Sequence, residues 1–360
     1  MATVHFDRVT HRYSSAPRPT VEDLDIEIAD GEFVVLVGPS NCGKSTALRM
    51  LAGLATVERG RILIGERDVT DLPPRDRDVA MVFGNDALYP NMTVAENMGF
   101  ALRDAGVREA DAQVRVDEAA KLLELEDLLD RKPAKLSDEE RRRVALGRVV
   151  VRRPQVFCMD EPLSNLVAGL RVNTWSQIAS LQKRLGTTTV YATQDQIEAM
   201  TMGDRVAVLR EGRLQQIAAP RVLYDDPVNT FVAGFIGAPG MNLLDAPVRD
   251  AAAVLDDLRI PLPRSVRAGA RVIVGIRPES WEITTDSAAS LSIAAELVDE
   301  VGGESFLYGH ALSDDWRSRT GRVVVRVDHH FRAALGAPLQ LRPKPDGVFF
   351  FDAETENRLR

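Results

Sequence analysis

The sequence predicts an α/β domain built on a mostly parallel sheet, followed by a smaller all-β domain, and three observations carry that reading. Phe33-Val34-Val35-Leu36-Val37 and Val156-Phe157-Cys158-Met159 are short apolar runs stopped by Gly38 and Asp160, as expected of strands covered on both faces. Thr188-Thr189-Val190-Tyr191-Ala192 and Val206-Ala207-Val208-Leu209 repeat the pattern, with helical stretches between them. Near residue 235 the texture changes. Arg271-Val272-Ile273-Val274, Val323-Val324-Val325-Arg326-Val327 and Gly347-Val348-Phe349-Phe350-Phe351 are separated by Pro, Gly and Asp, which favours a small antiparallel sandwich or barrel. The expected division is 1–235 and 236–360. A charged helical subdomain at about 85–154 is inserted between the first two strands, and Leu122, Leu123, Leu125, Leu128 and Leu129 read as one side of an amphipathic surface helix.

At 360 residues the chain is long enough for two domains, each with its own core. Two cysteines, Cys42 and Cys158, make no disulfide framework, which fits a reducing cytosolic setting. The net charge of -8, from 45 Lys and Arg against 53 Asp and Glu, argues against a nucleic-acid partner bound through a broad basic surface. No apolar run has signal-peptide or membrane-helix length, so any membrane role is expected to come through partners.

Residues 38–46 (Gly38, Pro39, Ser40, Asn41, Cys42, Gly43, Lys44, Ser45, Thr46) contain G-x-x-x-x-G-K-[ST] between a strand and a helix read at Ser45 to Leu51. Unpaired N–H groups at such a helix start point at phosphates, Lys44 reaches the β and γ phosphates, and the Ser45 hydroxyl ligates Mg2+. The chain therefore binds a nucleoside triphosphate. Asp160 ends a neighbouring strand, where a carboxylate supports the magnesium hydration shell, and Glu161 beside it can orient or deprotonate water.

With PLSNL after Asp160-Glu161 and LS…RRVALGR before it, the chain resembles an ABC-type ATPase subunit. More closely, MLAGL (50–54), RDVAMVF (77–83), ALYPNMTVAEN (87–97), MDEPLSNL (159–166), EAMTMGDRVAVL (198–209) and FVAGFIGAPGMNLL (231–244) resemble the ATPases of bacterial carbohydrate and glycerophosphodiester importers. VGIRPE (274–279) matches the OB-like regulatory β-domain of that maltose-importer-like subfamily. The resemblance implies ATP and Mg2+ as ligands, Tyr13 stacked on adenine, Asp160 as metal support and Glu161 as general base. It further implies a homodimer at the cytoplasmic face of the membrane, carried by two transmembrane permease subunits and served indirectly by an extracytoplasmic solute-binding protein. Residues 86–100 lie where relatives receive a cytoplasmic helix of the permease.

Several positions depart from the family pattern. The loop glycine is Asn41, a residue type that visits left-handed backbone readily. The glutamine that contacts magnesium and the attacking water is Gly84, the aspartate linking the two sites of the dimer is Val167, and the histidine at the γ-phosphate is Gln194. The LSGGQ signature, whose helix start faces the γ-phosphate on the other subunit, reads Leu136-Ser137-Asp138-Glu139-Glu140. At an effective dielectric near 20 and about 5 Å, each carboxylate–phosphate pair costs roughly 3 kcal/mol, more than the roughly 0.3–1 kcal/mol a helix terminus returns. Ser137 and Glu140 instead spell a capping box, with Arg141, Arg142 and Arg143 as partners. The expectation is an importer ATPase that binds Mg-ATP and turns over slowly. A non-hydrolysing regulatory or scaffold subunit is the alternative, and Glu161 argues against it, since a pure binder needs no base. Two smaller features read plainly: Cys42 as a small residue that fits its loop, and His329-His330 as solvated residues pointing to opposite faces of a strand.

Overall fold

The computed structural model describes residues 2–83, 88–163, 168–264 and 269–360, and it divides into two compact units, Met1–Pro220 and Arg221–Arg360. The first unit runs β1 (Val4–His11), β2 (Val21–Ile28), β3 (Phe33–Val37), α1 (Lys44–Leu51), β4 (Arg59–Ile64), β5 (Arg67–Asp68), β6 (Val79–Phe83), α2 (Val94–Asp104), α3 (Glu109–Leu123), α4 (Asp138–Val150), β7 (Val156–Asp160), α5 (Ala168–Leu185), β8 (Thr188–Thr193), α6 (Gln196–Met202), β9 (Arg205–Arg210) and β10 (Arg213–Ala218). One sheet has the order β10-β9-β3-β8-β7-β6. All its pairings are parallel except the antiparallel edge strand β10. Every residue of β3 and β8 is buried, as two-sided apolar runs require.

A second, antiparallel sheet, β2-β1-β4-β5, shares this core, and the sequence reading did not anticipate it. Val21, Leu24, Ile26 and Ile28 of β2 are buried while Glu22, Asp23, Asp25 and Glu27 are not, the period-two pattern of a half-covered strand. Helix α1 contributes Ala47, Leu48, Met50 and Leu51 to the same core. Helix α1 is therefore packed in the core that the two sheets share.

The helical insert contains α2, α3 and α4, and one expectation about it is corrected. The leucine-rich segment is not one helix: α3 stops at Leu123 because Glu124 turns left-handed at φ 55°, and a short 3-10 turn, Glu126–Leu128, follows. Leu123, Leu125 and Leu128 are nevertheless all buried, because the turn brings the later leucines back onto the bundle.

The second unit opens with α7 (Pro220–Asp225) and α8 (Thr230–Phe235), so it begins at Arg221 rather than at 236. Its strands are β11 (Asn242–Arg249), β12 (Ala252–Leu255), β13 (Leu258–Pro261), β14 (Arg271–Ile276), β15 (Trp281–Thr284), β16 (Leu291–Val301), β17 (Glu304–Ala311), β18 (Arg317–Ser318), β19 (Val323–Val327), β20 (Pro338–Pro343), β21 (Val348–Asp352) and β22 (Arg358–Leu359). Among the described residues they form two antiparallel sheets, β13-β12-β11-β14-β21-β22 with β18 on β11, and β15-β20-β16-β17-β19. Both sheets supply one core, which holds Leu244, Val274, Trp281, Leu307, Trp316 and Val325.

Arg277 explains why the two helices belong with these strands. It is buried at 3% exposure, its Nη1 donates to the carbonyls of Ala233 (3.2 Å) and Ile236, and its Nη2 donates to Tyr224 O at 2.8 Å. Its guanidinium lies 3.8 Å from the centre of the Tyr224 ring, whose hydroxyl donates to Glu279 at 2.6 Å. Replacing Arg277 by Met keeps an apolar stem but strands three carbonyls, two of them buried. The second unit should lose about 3 kcal/mol, read as a lower urea midpoint for its transition.

Candidate functional site

The parallel sheet delivers three segments to one edge. In register, Val37 lies beside Thr193, and Asp160 lies beside Ala192. The loop after β3, the acids ending β7 and Gln194 after β8 therefore emerge together. Positions 84–87 and 164–167, which include Gly84, Asp86 and Val167, lie outside the described residues.

The loop is shaped by close backbone approach. A Cβ at Gly38 would stand 2.2 Å from Leu209 O, and one at Gly43, where φ is 104°, would stand 2.6 Å from Thr20 O. Asn41 takes the left-handed region at φ 62°, as its residue type allows. Gly43 is the N-cap of α1, with no side-chain cap and no acid in the first turn, so no side chain of this helix takes its first N–H groups. Lys44 is 4% exposed and curls back to donate to Gly38 O and Pro39 O, each at 2.9 Å. Its ammonium is thereby stationed over the loop that a triphosphate would occupy. Burial raises the Cys42 thiol above its ordinary value despite Lys44 Nζ at 3.7 Å, as for a small residue packed into the loop.

The acids close the loop from the other side. Ser45 Oγ donates to Asp160 Oδ1 at 2.7 Å, bringing together the hydroxyl and carboxylate suited to magnesium and its water. Glu161 sits at φ 45°, with its N–H on Ala192 O at 2.9 Å. Gln194 joins the two halves: Ser40 Oγ donates to its Oε1 at 2.7 Å, and its Nε2 donates to Glu161 Oε1 at 2.8 Å. Sequence reasoning placed Gln194 at the phosphate but missed this bridge, since no spacing rule pairs residues 154 apart.

Behind the bridge, Tyr191 Oη and Thr193 Oγ1 both donate to buried Glu198 Oε2, at 2.9 and 2.7 Å. Asp195 caps α6 through the N–H groups of Ile197 and Glu198. Gln194 thus leaves β8 from a fixed turn. Tyr13, between β1 and β2, stands edge-on to His11 with ring centres 4.5 Å apart, and its hydroxyl lies 3.5 Å from the Thr46 hydroxyl. It is 37% exposed, an aromatic ring beside the phosphate loop with surface left for a base.

The start of α4 is built in the opposite way. Ser137 Oγ accepts from Glu140 N at 3.2 Å, and Glu140 Oε2 accepts from Ser137 N at 2.6 Å, so the capping box is closed on both sides. Asp138 pairs with Arg141 at 3.6 Å, whereas Arg143 turns to Glu124 at 3.8 Å and Arg142 is buried. One helix start in this unit is bare and another is capped and acidic. The first fits a phosphate, and the second does not.

A family model for the ABC transporter matches residues 21–164, and one for the MalK OB fold domain matches residues 237–280. Relatives include the diacetylchitobiose uptake system ATP-binding protein MsiK of Streptomyces coelicolor, 51% identical over 379 aligned positions that cover 100% of both chains. The sn-glycerol-3-phosphate import ATP-binding protein UgpC of Chromobacterium violaceum is 46% identical, covering 100% of this chain and 96% of its own. Among solved structures, cbiO1 from Clostridium perfringens, part of the ABC transporter complex cbiONQ, superposes with TM-score 0.57 at 26% identity, over 61% of this chain and 88% of that one.

The backbone N–H of Ser137 holds the Glu140 carboxyl below its usual range. A depressed folded-state value means that this contribution to stability is present above the unfolded-state value and is lost as pH falls through the folded one. Ser137→Ala should lower stability by about 1 kcal/mol near neutral pH. For Glu140→Ala, the gap from the unsubstituted chain should narrow in unfolding curves taken at acidic pH.

Proposed function

This chain belongs to the ATP-binding subunits of ABC transporters, in the maltose-importer-like subfamily, and from that premise we propose that it couples ATP to uptake of a sugar or glycerophosphodiester-type solute while turning ATP over slowly. Members of the family are transport ATPases that use ATP with Mg2+. Full-length similarity to a diacetylchitobiose-system subunit and to a glycerol-3-phosphate importer subunit supports the importer reading and leaves the solute class broad. Among the described residues no helix is long and apolar enough to cross a membrane. Attachment to the cytoplasmic face through two permease subunits is part of the same proposal, as are a homodimer and an extracytoplasmic binding protein.

In this reading the loop Gly38 to Thr46, which ends in the bare start of α1, binds the triphosphate, Lys44 balances its charge, and Tyr13 meets the base. Ser45 and Asp160 hold the magnesium ion, which supplies charge neutralisation at the phosphates. Glu161 takes the proton of the attacking water, and Gln194 orients it through the amide bond. An amide donates a hydrogen bond but carries no charge, so it stabilises the phosphate less than an imidazolium could.

One observation carries the slow-turnover reading. Glu140 already occupies an N–H at the α4 start, and Asp138 and Glu139 add negative charge where relatives present a phosphate-facing signature. The retained Glu161 supports hydrolysis over a purely structural role.

Equilibrium titration with Mg-ATP, run beside a phosphate-release assay, tests this. Wild-type chain should bind, Lys44→Ala should bind at least roughly tenfold more weakly, and wild-type turnover should fall at least roughly tenfold below that of a relative with an intact signature. Turnover equal to that relative's would overturn the proposal.

A further inference from the structure

Three side chains of the second unit fit a ligand that no part of the transport reading uses. Asp328, His329 and His330 follow β19, and the expectation that the two histidines lie on a strand and diverge does not hold. Phe331 N donates to Asp328 O at 2.8 Å, which closes a tight turn, and His330 N donates to Asp328 Oδ1 at 2.9 Å. Within this turn the imidazole ring centres come to 3.7 Å. One donor atom from each of the three exposed residues lies within 4.8 Å of the others.

We propose that the Asp328-His329-His330 turn binds a divalent transition-metal ion of the zinc class, with a fourth position left to water or to a partner's ligand. Two imidazoles and one carboxylate are the donor set for Zn2+, Ni2+, Cu2+ or Co2+, whereas Mg2+ and Ca2+ take oxygen. Metal–ligand bonds of about 2.0–2.1 Å in a tetrahedron put neighbouring donors about 3.3 Å apart. His329 Nδ1 and Asp328 Oδ1 already stand 3.6 Å apart, so one edge is nearly formed, and a His330 donor lies within 4.8 Å of the other two residues' donors.

The nearby arginines do not compete for the site. Arg332 pairs with Glu300 at 3.1 Å and donates to His329 O at 3.0 Å, which braces the turn, and Arg326 pairs with Glu304 at 3.3 Å. A second cluster, His5, Asp7 and Asp25, lacks this advantage. Its Asp7 is already held by Arg61 at 2.8 Å and Arg8 at 3.2 Å, two cations in the place of one.

The test is a Co2+ titration of the full chain after EDTA treatment, without nucleotide, followed by visible absorption, and then competition by Zn2+. One saturable equivalent is expected, displaced by Zn2+ and unmoved by excess Mg2+. His329→Asn and His330→Asn should each weaken it at least roughly tenfold, and Lys44→Ala should leave it unchanged. Failure to saturate, displacement by Mg2+, or equal binding by the double histidine variant would sink the proposal.

Discussion

The parallel alignment of β3, β8 and β7 is the constraint on which the site depends. Because these strands run the same way in register, Val37, Thr193 and Asp160 finish at one edge, and every group that follows them faces the same space. The register turns residues far apart in sequence into hydrogen-bonding neighbours: Ser45 with Asp160, and Ser40 with Gln194 and Glu161. A strand slipped by one residue would point the buried side chains of β8 the wrong way and carry Gln194 from the loop. Packing of β1, β2 and α1 into the same core is what makes that slip costly.

A helix start has a few N–H donors, and each can be satisfied once. At α1 the chain puts Gly43 where a capping side chain would stand, leaving those donors to a ligand and accepting a poor cap. At α4 it does the reverse, taking donors with Ser137 and Glu140 and adding acids that the helix dipole welcomes. The same physics therefore favours ligand binding at one end and folding at the other. Gln194 shows a related compromise, because its amide ties Ser40 to Glu161 while giving up charge.

The phosphate loop, its two carboxylates and the capping box were legible because each is local: a strand stop, a fixed spacing or a pair three residues apart. Features set by distant partners were not. The antiparallel sheet was missed although the alternation Val-Glu-Asp-Leu-Asp-Ile-Glu-Ile in β2 signals it. The second unit starts earlier than the change of texture suggests, because Arg277 gathers carbonyls from Tyr224, Ala233 and Ile236. Leu125 and Leu128 after Glu124 are buried and Leu129 is half-buried, but across a left-handed turn that periodicity cannot register. His329 and His330 are exposed as expected, but they do not take opposite faces, because the strand ends at Val327, two residues too soon for alternation to apply.

The central claim is that the acidic, capped start of α4 trades phosphate stabilisation for helix stability. Replacing both Asp138 and Glu139 by Gly, then measuring ATP turnover and urea unfolding on the same preparation, tests that trade directly. The account predicts that turnover rises at least roughly tenfold, about 1.4 kcal/mol of barrier, while stability falls by about 1–2 kcal/mol. Lower stability with unchanged turnover would contradict it.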